Sequence, residues 1–303
     1  MKILVTGGAG FIGSHVVDAY VKEGHDVVVV DNLSTGLKNN LNPKAKFYPC
    51  DINSPDLLVI FQKENPDIVN HHAAQMNVRY SVENPINDAQ INILGLLNVL
   101  QCCITSKVKK IIFISSGGAM YGDAKKIPTP ESAYPEPLSP YGLAKFVGEK
   151  YVKLYQRLYG LKYSTLRYAN VYGPRQNPQA EAGVVAIFID RIFHNQKPII
   201  YGDGTQTRDY VYVADVVGAN LLCITKGDNQ AFNIGASKET SVNELLDILL
   251  SVMNKKTTPL FELPRSGEVS RGALDCTAAK KVLGWEPQHS LHQGIQKTFQ
   301  GLQ

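Results

Sequence analysis

Tyr141 and Lys145 lie in the run Ser139-Pro140-Tyr141-Gly142-Leu143-Ala144-Lys145. Ser139 has the character of a helix N-cap and Pro140 of a first helical residue, so the spacing puts the phenol and the ammonium one turn apart on one face. A free tyrosine ionises near about 10 and is a poor base at neutral pH. A neighbouring ammonium favours the phenolate, so Lys145 is expected to lower the Tyr141 pKa and make general-base work feasible. An isolated Tyr-x-x-x-Lys more often marks an amphipathic helix with a partly buried Tyr and a solvated Lys. What stands upstream decides between the two.

Upstream, Thr6-Gly7-Gly8-Ala9-Gly10-Phe11-Ile12-Gly13 follows the apolar run Ile3-Leu4-Val5 and opens a helix with an apolar face of Ile12, Val16, Val17, Tyr20 and Val21. Glycine at 7, 10 and 13 permits a tight turn and a close approach of backbone amides to a pyrophosphate, and the helix N-terminus adds partial positive charge. Asp31 closes the next strand at about the twenty-residue distance of a carboxylate that holds a ribose 2′-hydroxyl. No Arg or Lys stands in Asn32 to Gly36 to receive a 2′-phosphate, so NAD is expected rather than NADP. A glycine turn that merely packs a helix on a sheet is the plainer alternative. The strand before it and Asp31 after it favour the dinucleotide.

The elements that must position these groups read as alternating strands and helices. Ile3 to Val5, Val27 to Val30, Phe47-Tyr48, Asp67 to Asn70 and Ile111 to Ile114 are short apolar runs joined by polar or helical segments. Continuous apolar strands belong to a parallel sheet covered on both faces, so the expected fold is α/β, a Rossmann-type doubly wound sheet. After Tyr168 the rhythm breaks, Gly and Pro punctuate Val171 to Pro178, and helices such as Val242 to Met253 stand alone. We expect a dinucleotide domain over 1–170, with 211–235 returning to it, and a smaller region from 171–210 and 236–303 over the carboxyl ends of the strands.

Composition is ordinary for a folded globular protein. The 303 residues are 44% hydrophobic and 19% charged, with a formal net charge of +4 spread along the chain. Lys107, Lys109 and Lys110 form the densest basic cluster and read as a solvated helix end, so no nucleic-acid partner is expected. The five cysteines, Cys50, Cys102, Cys103, Cys223 and Cys276, are odd in number and lack metal-ligand spacing. They are expected to be buried thiols of a reducing compartment, with no metal. With no apolar run long enough for a membrane and no leader before Ile3, a soluble cytoplasmic protein is expected.

Taken together, these residues resemble the extended short-chain dehydrogenase/reductases, and most closely the UDP-glucose 4-epimerases. The resemblance runs from the glycine turn to Gly284-Trp285. It includes Asp51-Ile52, His72-Ala73-Ala74-Gln75, Asn92-Ile93-Leu94-Gly95, Arg167-Tyr168-Ala169-Asn170-Val171-Tyr172-Gly173-Pro174, Tyr201-Gly202-Asp203-Gly204 and Arg208-Asp209-Tyr210-Val211. It implies reversible epimerisation at C4 of a UDP-hexose through a 4-keto intermediate, with NAD held as a prosthetic group.

Residue by residue, the resemblance implies that Gly7, Gly10, Phe11, Ile12, Gly13, Asp31, Asn32, Ser34, Thr35, Gly36, Asp51, Ile52, Ala73, Ala74, Gln75, Asn92, Tyr141, Lys145 and Tyr168 hold the cofactor. Asn170, Val185, Tyr201, Arg208, Arg265, Glu268 and Gly272 would hold the UDP-sugar, with the two guanidinium groups on the diphosphate. It also implies a homodimer, formed through helices spanning Asn84 to Ser106 and Pro140 to Leu158.

Two positions depart from the family pattern. Its Ser or Thr four residues before Tyr121-Gly122 is Gly117 here, with Ser116 as the nearest hydroxyl to replace it and a water as the other candidate. Glu268 stands where Asp is common. Gly118-Ala119-Met120 carries no acid before Tyr121, which argues against the dehydratases of the superfamily. A uronic-acid epimerase, a 4-keto-sugar reductase and a non-catalytic NAD sensor remain as alternatives. Finally, Gly272, three residues before Asp275, stands where the resemblance puts an aromatic gate against N-acetylated sugars, so N-acetylhexosamine substrates are also expected.

Overall fold

The computed structural model describes residues 1–178, 183–264 and 269–301. Its centre is a sheet of β1 (Lys2–Thr6), β2 (Asp26–Asp31), β3 (Lys46–Pro49), β4 (Ile68–His71), β5 (Lys110–Ser116), β6 (Lys162–Tyr168) and the returning strand Gln230–Ile234. The spatial order is β3-β2-β1-β4-β5-β6 followed by Gln230–Ile234, and every pairing is parallel. The order reverses between β1 and β4, where an open α/β sheet leaves a crevice for ligand at its carboxyl edge.

Burial on both faces explains why the strands read as continuous apolar runs. In β1, Ile3 and Val5 enter one core with Val16, Val17, Val29, Ile112, Val216 and Phe232. Leu4 enters the other, with Val28, Phe61, Leu96, Ile111 and Val152. The first core is covered by helices Phe11–Lys22 and Val213–Cys223, the second by Asp56–Glu64, Leu96–Thr105 and Pro140–Tyr159.

The rest of the chain forms a third core, in which helix Val184–Phe193 packs on Val242–Met253 through Phe188, Ile189, Ile192, Leu245 and Leu249. Short strand pairs stitch it to the sheet edge. They are β7 (Asn170–Tyr172) with β10 (Tyr210–Tyr212), β8 (Ile199–Tyr201) with β13 (Leu260–Glu262), and β9 (Thr207–Arg208) with β12 (Thr240–Ser241); the returning strand Gln230–Ile234 is β11 in this order.

One surface expectation is corrected. Lys107 and Lys109 are exposed, but Lys110 is buried at the start of β5. Its ammonium donates to the Lys226 carbonyl and the Asp228 carboxylate, both at 2.7 Å, which compensates its desolvation. All five cysteines are free thiols, and four are buried. Among the described residues no helix is long and apolar enough to cross a membrane.

Candidate active site

The glycine turn sits at the β1/β4 switch point. Gly7 has φ +71°, and a Cβ there would lie 2.6 Å from the Ala73 amide nitrogen. A Cβ at Gly13 would lie 2.2 Å from the Gly7 carbonyl. A side chain at Gly7 would force the turn away from the loop after β4, and one at Gly13 would force the helix away from the turn. Gly10 caps helix Phe11–Lys22 without a side chain, leaving the first-turn amides for an anion.

Asp31 is fixed by this turn. Its carboxylate accepts from the Ala9 amide at 2.9 Å and the Leu33 amide at 2.8 Å. Asn32 donates to Asp51 at 2.6 Å and accepts from the Ser34 amide at 3.0 Å. Gly36 passes so close that a Cβ would meet Ala9 at 2.9 Å. The residues expected at the adenosine end, Asp31, Asn32, Ser34, Gly36 and Asp51, are thus brought together with Ile52 beyond the ends of β2 and β3. The turn, its unspent amides and Asp31 fit a dinucleotide.

Tyr141 and Lys145 lie on helix Pro140–Tyr159. Ser139 caps it by accepting from the Gly142 amide at 3.2 Å, with Pro140 in the first turn. The Tyr141 amide donates to the buried Ser81 hydroxyl at 3.2 Å. Arg167 on β6 grips Glu149 with two hydrogen bonds, at 2.9 and 2.7 Å, tying the helix to the sheet. Lys145 is 5% exposed and donates to the Ile114 carbonyl at 3.0 Å, with its ammonium 5.8 Å from the centre of the Tyr141 ring.

The electrostatics differ from the sequence expectation. Burial pushes the Tyr141 phenol up to about 12, the Ser116 hydroxyl pulls it down by hydrogen bonding, and Asp88 pushes it up. Burial also brings Lys145 down to about 8, with the Asp88 carboxylate opposing. Tyr141 thus stands above rather than below its ordinary range, with the Ser116 hydroxyl lowering it and the Lys145 ammonium beside the ring. The reason is that both members of the pair are withdrawn from water, and desolvation disfavours the charged form of each.

Ser116 ends β5, and the structure explains Gly117. A Cβ at Gly117 would lie 2.5 Å from the Leu274 side chain, so Leu274 fills the space of the family's usual hydroxyl. Gln75 and Asn92 bind each other across the mouth of the site, with Asn92 accepting from the Gln75 amide at 3.0 Å and donating to its carbonyl at 2.8 Å. Tyr168 does not turn its side chain to this space. It is buried in the core, its hydroxyl accepting from Asn220 at 2.6 Å, so the expectation of a cofactor contact has no side-chain support.

Toward the smaller region, Tyr201 lines a cavity of about 1530 Å³ with Gln206, Phe261, Pro264, Ser270 and Arg271. Asn170 is exposed, and its Oδ1 would be 3.2 Å from a Cβ on Gly118, beside Ser116 and Gly117. Arg208 is half-buried and donates to the Thr207 carbonyl at 2.8 Å. Gly272 is half-buried, and a Cβ there would meet nothing within 4 Å. Val185 is 2% exposed in the third core rather than open to this cavity. Arg265 and Glu268 lie outside the described residues.

Comparison with known proteins settles the family. The NAD dependent epimerase/dehydratase family matches residues 3–235. The chain belongs to this family. It is 42% identical to the UDP-glucose 4-epimerase of Mycolicibacterium smegmatis, over 99% of this chain and 98% of that protein. It is 51% identical to the UDP-glucose 4-epimerase of Thermotoga maritima, solved with UDP-glucose, at a TM-score of 0.98 over 100% of this chain and 98% of the other. The Thermus thermophilus UDP-glucose 4-epimerase, solved with NAD, is 38% identical at a TM-score of 0.95, over 99% and 98% of the two chains.

Within this family member, two carboxylates escaped the sequence reading. Asp209 is 3% exposed and accepts from the Ala236, Ser237 and Leu274 amides at 2.7 to 3.1 Å. Burial raises its pKa to about 6 against those three bonds. It thereby holds the segment that carries Gly272 against the sheet edge. Asp88 is 1% exposed, and its Oδ1 accepts from Gln75 at 2.8 Å and Asn92 at 2.9 Å. The four-residue spacing of Asp88 and Asn92 was a signal for it, because such a pair shares a helix face.

Proposed function

We propose that this enzyme interconverts UDP-glucose and UDP-galactose by epimerisation at C4, with NAD bound throughout. The observation that carries the reading is Tyr141 and Lys145 one turn apart on a helix, with the buried ammonium 5.8 Å from the centre of the phenol ring, beside a dinucleotide turn. Its family and its UDP-glucose 4-epimerase relatives support the same chemistry.

The turn amides, Asp31 and Lys145 are the groups that would hold the cofactor. A bound NAD would supply the acceptor and donor of the C4 hydride and, in its oxidised form, positive charge at the site. Tyr141 takes the proton of the C4 hydroxyl as C4 becomes a ketone, and gives it back when C4 is reduced on the opposite face. Ser116 stabilises the phenolate by hydrogen bonding. Lys145, fixed by the Ile114 carbonyl, supplies an ammonium beside the ring. The sugar half turns over between the two transfers while the UDP half stays anchored, a task for Asn170, Tyr201, Arg208, Arg265 and Glu268. The five free thiols suit a reducing compartment such as the cytoplasm. Exposed apolar residues on the helices expected to pair subunits support a homodimer.

Incubation of the purified protein with UDP-galactose and no added reductant tests this. UDP-glucose should accumulate to a fixed ratio, and Tyr141→Phe should lose at least about a hundredfold in turnover while still binding NAD. No conversion by the parent protein, or near-parental turnover by Tyr141→Phe, contradicts the proposal.

A further inference from the structure

Asp88 sits on the short helix Pro85–Ala89, which packs against the Tyr141 helix. A π-type turn, Gln90–Gly95, follows it directly and carries Asn92. Such turns favour functional sites because they re-aim side chains that a regular helix would place elsewhere. Two amide donors, Gln75 and Asn92, converge on one oxygen of the Asp88 carboxylate. Its other oxygen takes no hydrogen bond among the described residues. A carboxylate withdrawn from water in this way is costly unless a cation lies near. Lys145 is the cation whose charge reaches Asp88, buried on the helix that Pro85–Ala89 packs against and, among the described residues, without a carboxylate in hydrogen-bond reach.

We propose that Asp88 is the counter-charge to Lys145, a positioning residue that acts on the Tyr141–Lys145 pair without touching the substrate. The charges facing the pair are few. His71 and His72, at the end of β4, are both pushed down to about 3 by burial and by Lys145, so they are neutral. Ser116 is uncharged. Arg79 and Glu83, on the helix before Asp88, are exposed. Asp88 is thus the group that biases both members, raising the pKa of each, and Lys145 in turn lowers that of Asp88.

Asp88→Asn separates charge from scaffold, because the amide oxygen can still accept from both Gln75 and Asn92. Removing a negative charge lowers the pKa of every neighbouring group. The limits of the kcat/KM profile for UDP-galactose should therefore move to lower pH by about half a unit or more, and they belong to the pair rather than to either residue. Asp88→Glu keeps the charge while disturbing the hydrogen bonds, and should lower the rate without that displacement.

The inference rests on the C4-epimerase reading, and the parent enzyme's turnover of UDP-galactose tests that reading separately. Asp88→Ser, which also lacks charge, serves if Asp88→Asn does not fold. A neutral variant that loses rate with its profile unmoved would show a scaffold role alone and overturn the proposal. So would an Asp88→Glu profile displaced as far as that of the neutral variant.

Discussion

At Tyr141 withdrawal from water and the Asp88 carboxylate raise the phenol pKa, to about 12, against the Ser116 hydroxyl, which lowers it. Ser116→Ala should therefore do two things. Loss of a hydrogen bond to the reacting group should cut kcat by about tenfold or more, equivalent to about 1.4 kcal/mol in the barrier. The acidic limit of the kcat profile should also move to higher pH, since the phenolate has lost its donor. An unchanged rate would give Ser116's role to a water instead. Lys145 carries a stability effect that can be read without turnover. Its pKa falls from the ordinary lysine range to about 8 in the folded protein, so between about pH 8 and 10.5 the unfolded chain binds the extra proton. Stability from this group then rises with pH across that window and is lowest below it. Relative to Lys145→Met in the cofactor-free protein, the parent should gain about 3 kcal/mol on going from pH 7.5 to 10.5. Denaturant melts at the two pH values measure it, and a constant difference would mean that Lys145 keeps its ordinary pKa.

Element by element, legibility followed the length and burial of each segment. β1, β2, β4 and β5 showed themselves as apolar runs because both faces of the sheet are covered there, and the Tyr141 helix because its cap and its proline are local signals. The seven-residue β6 was missed because Ser164, Thr165 and Arg167 break its apolar pattern although all three are buried. The paired strands β7 to β10, β12 and β13 are two or three residues long, too short for any periodicity, and tertiary contacts create them. Asp209 was obscure for the same reason: its partners are the backbone amides of Ala236, Ser237 and Leu274, remote in sequence, whereas Asp88 had a local signal in Asn92 four residues on. Tyr168 and Val185 looked like site residues from their neighbours, yet their side chains serve the core. The segment Ser270 to Asp275 shows how such contacts fix a position expected to govern specificity. Ser270 accepts from the Thr207 amide at 3.1 Å, Arg271 is held by Glu239 at 2.6 and 2.9 Å, and Thr129 brackets Ala273 and Asp275. With both flanks pinned, the open space beside Gly272 is a fixed feature. The enzyme should accept UDP-N-acetylgalactosamine within about a thousandfold of UDP-galactose in kcat/KM, a limit of about 4 kcal/mol. Gly272→Tyr should reject the N-acetylated sugar while keeping the plain one, because a ring placed there excludes by volume. Equal loss of both sugars would place the N-acetyl group elsewhere.

For the whole molecule, the surface of the Tyr141 helix asks for a partner. Leu143, Leu154 and Leu158 are 51%, 42% and 60% exposed, and on one helix they fall within about 60° of each other, a single stripe. Ile86, at 85%, and Leu94, at 50%, stand on the neighbouring run Pro85–Thr105. Scattered surface leucines are ordinary, but a leucine stripe along one helix face, with Ile86 and Leu94 exposed on the run packed beside that helix, is a candidate interaction surface. Fully burying each such side chain contributes about 1.5–3 kcal/mol, so the patch can offset the entropy of association when two copies share it. A two-fold axis suits such a face, because one patch then covers its own copy. The Tyr141 and Asp88 helices would then lie behind the interface, with its packing restraining both. The expected outcome is a dimer by sedimentation equilibrium at about 10 μM, a concentration at which a Kd near or below about 1 μM leaves little monomer. Leu154→Glu with Leu158→Glu would bury like charges opposite each other and should give a monomer that retains the fold by circular dichroism. A parent protein that sediments as a monomer, or a double variant that stays dimeric, would move the subunit contact to another surface.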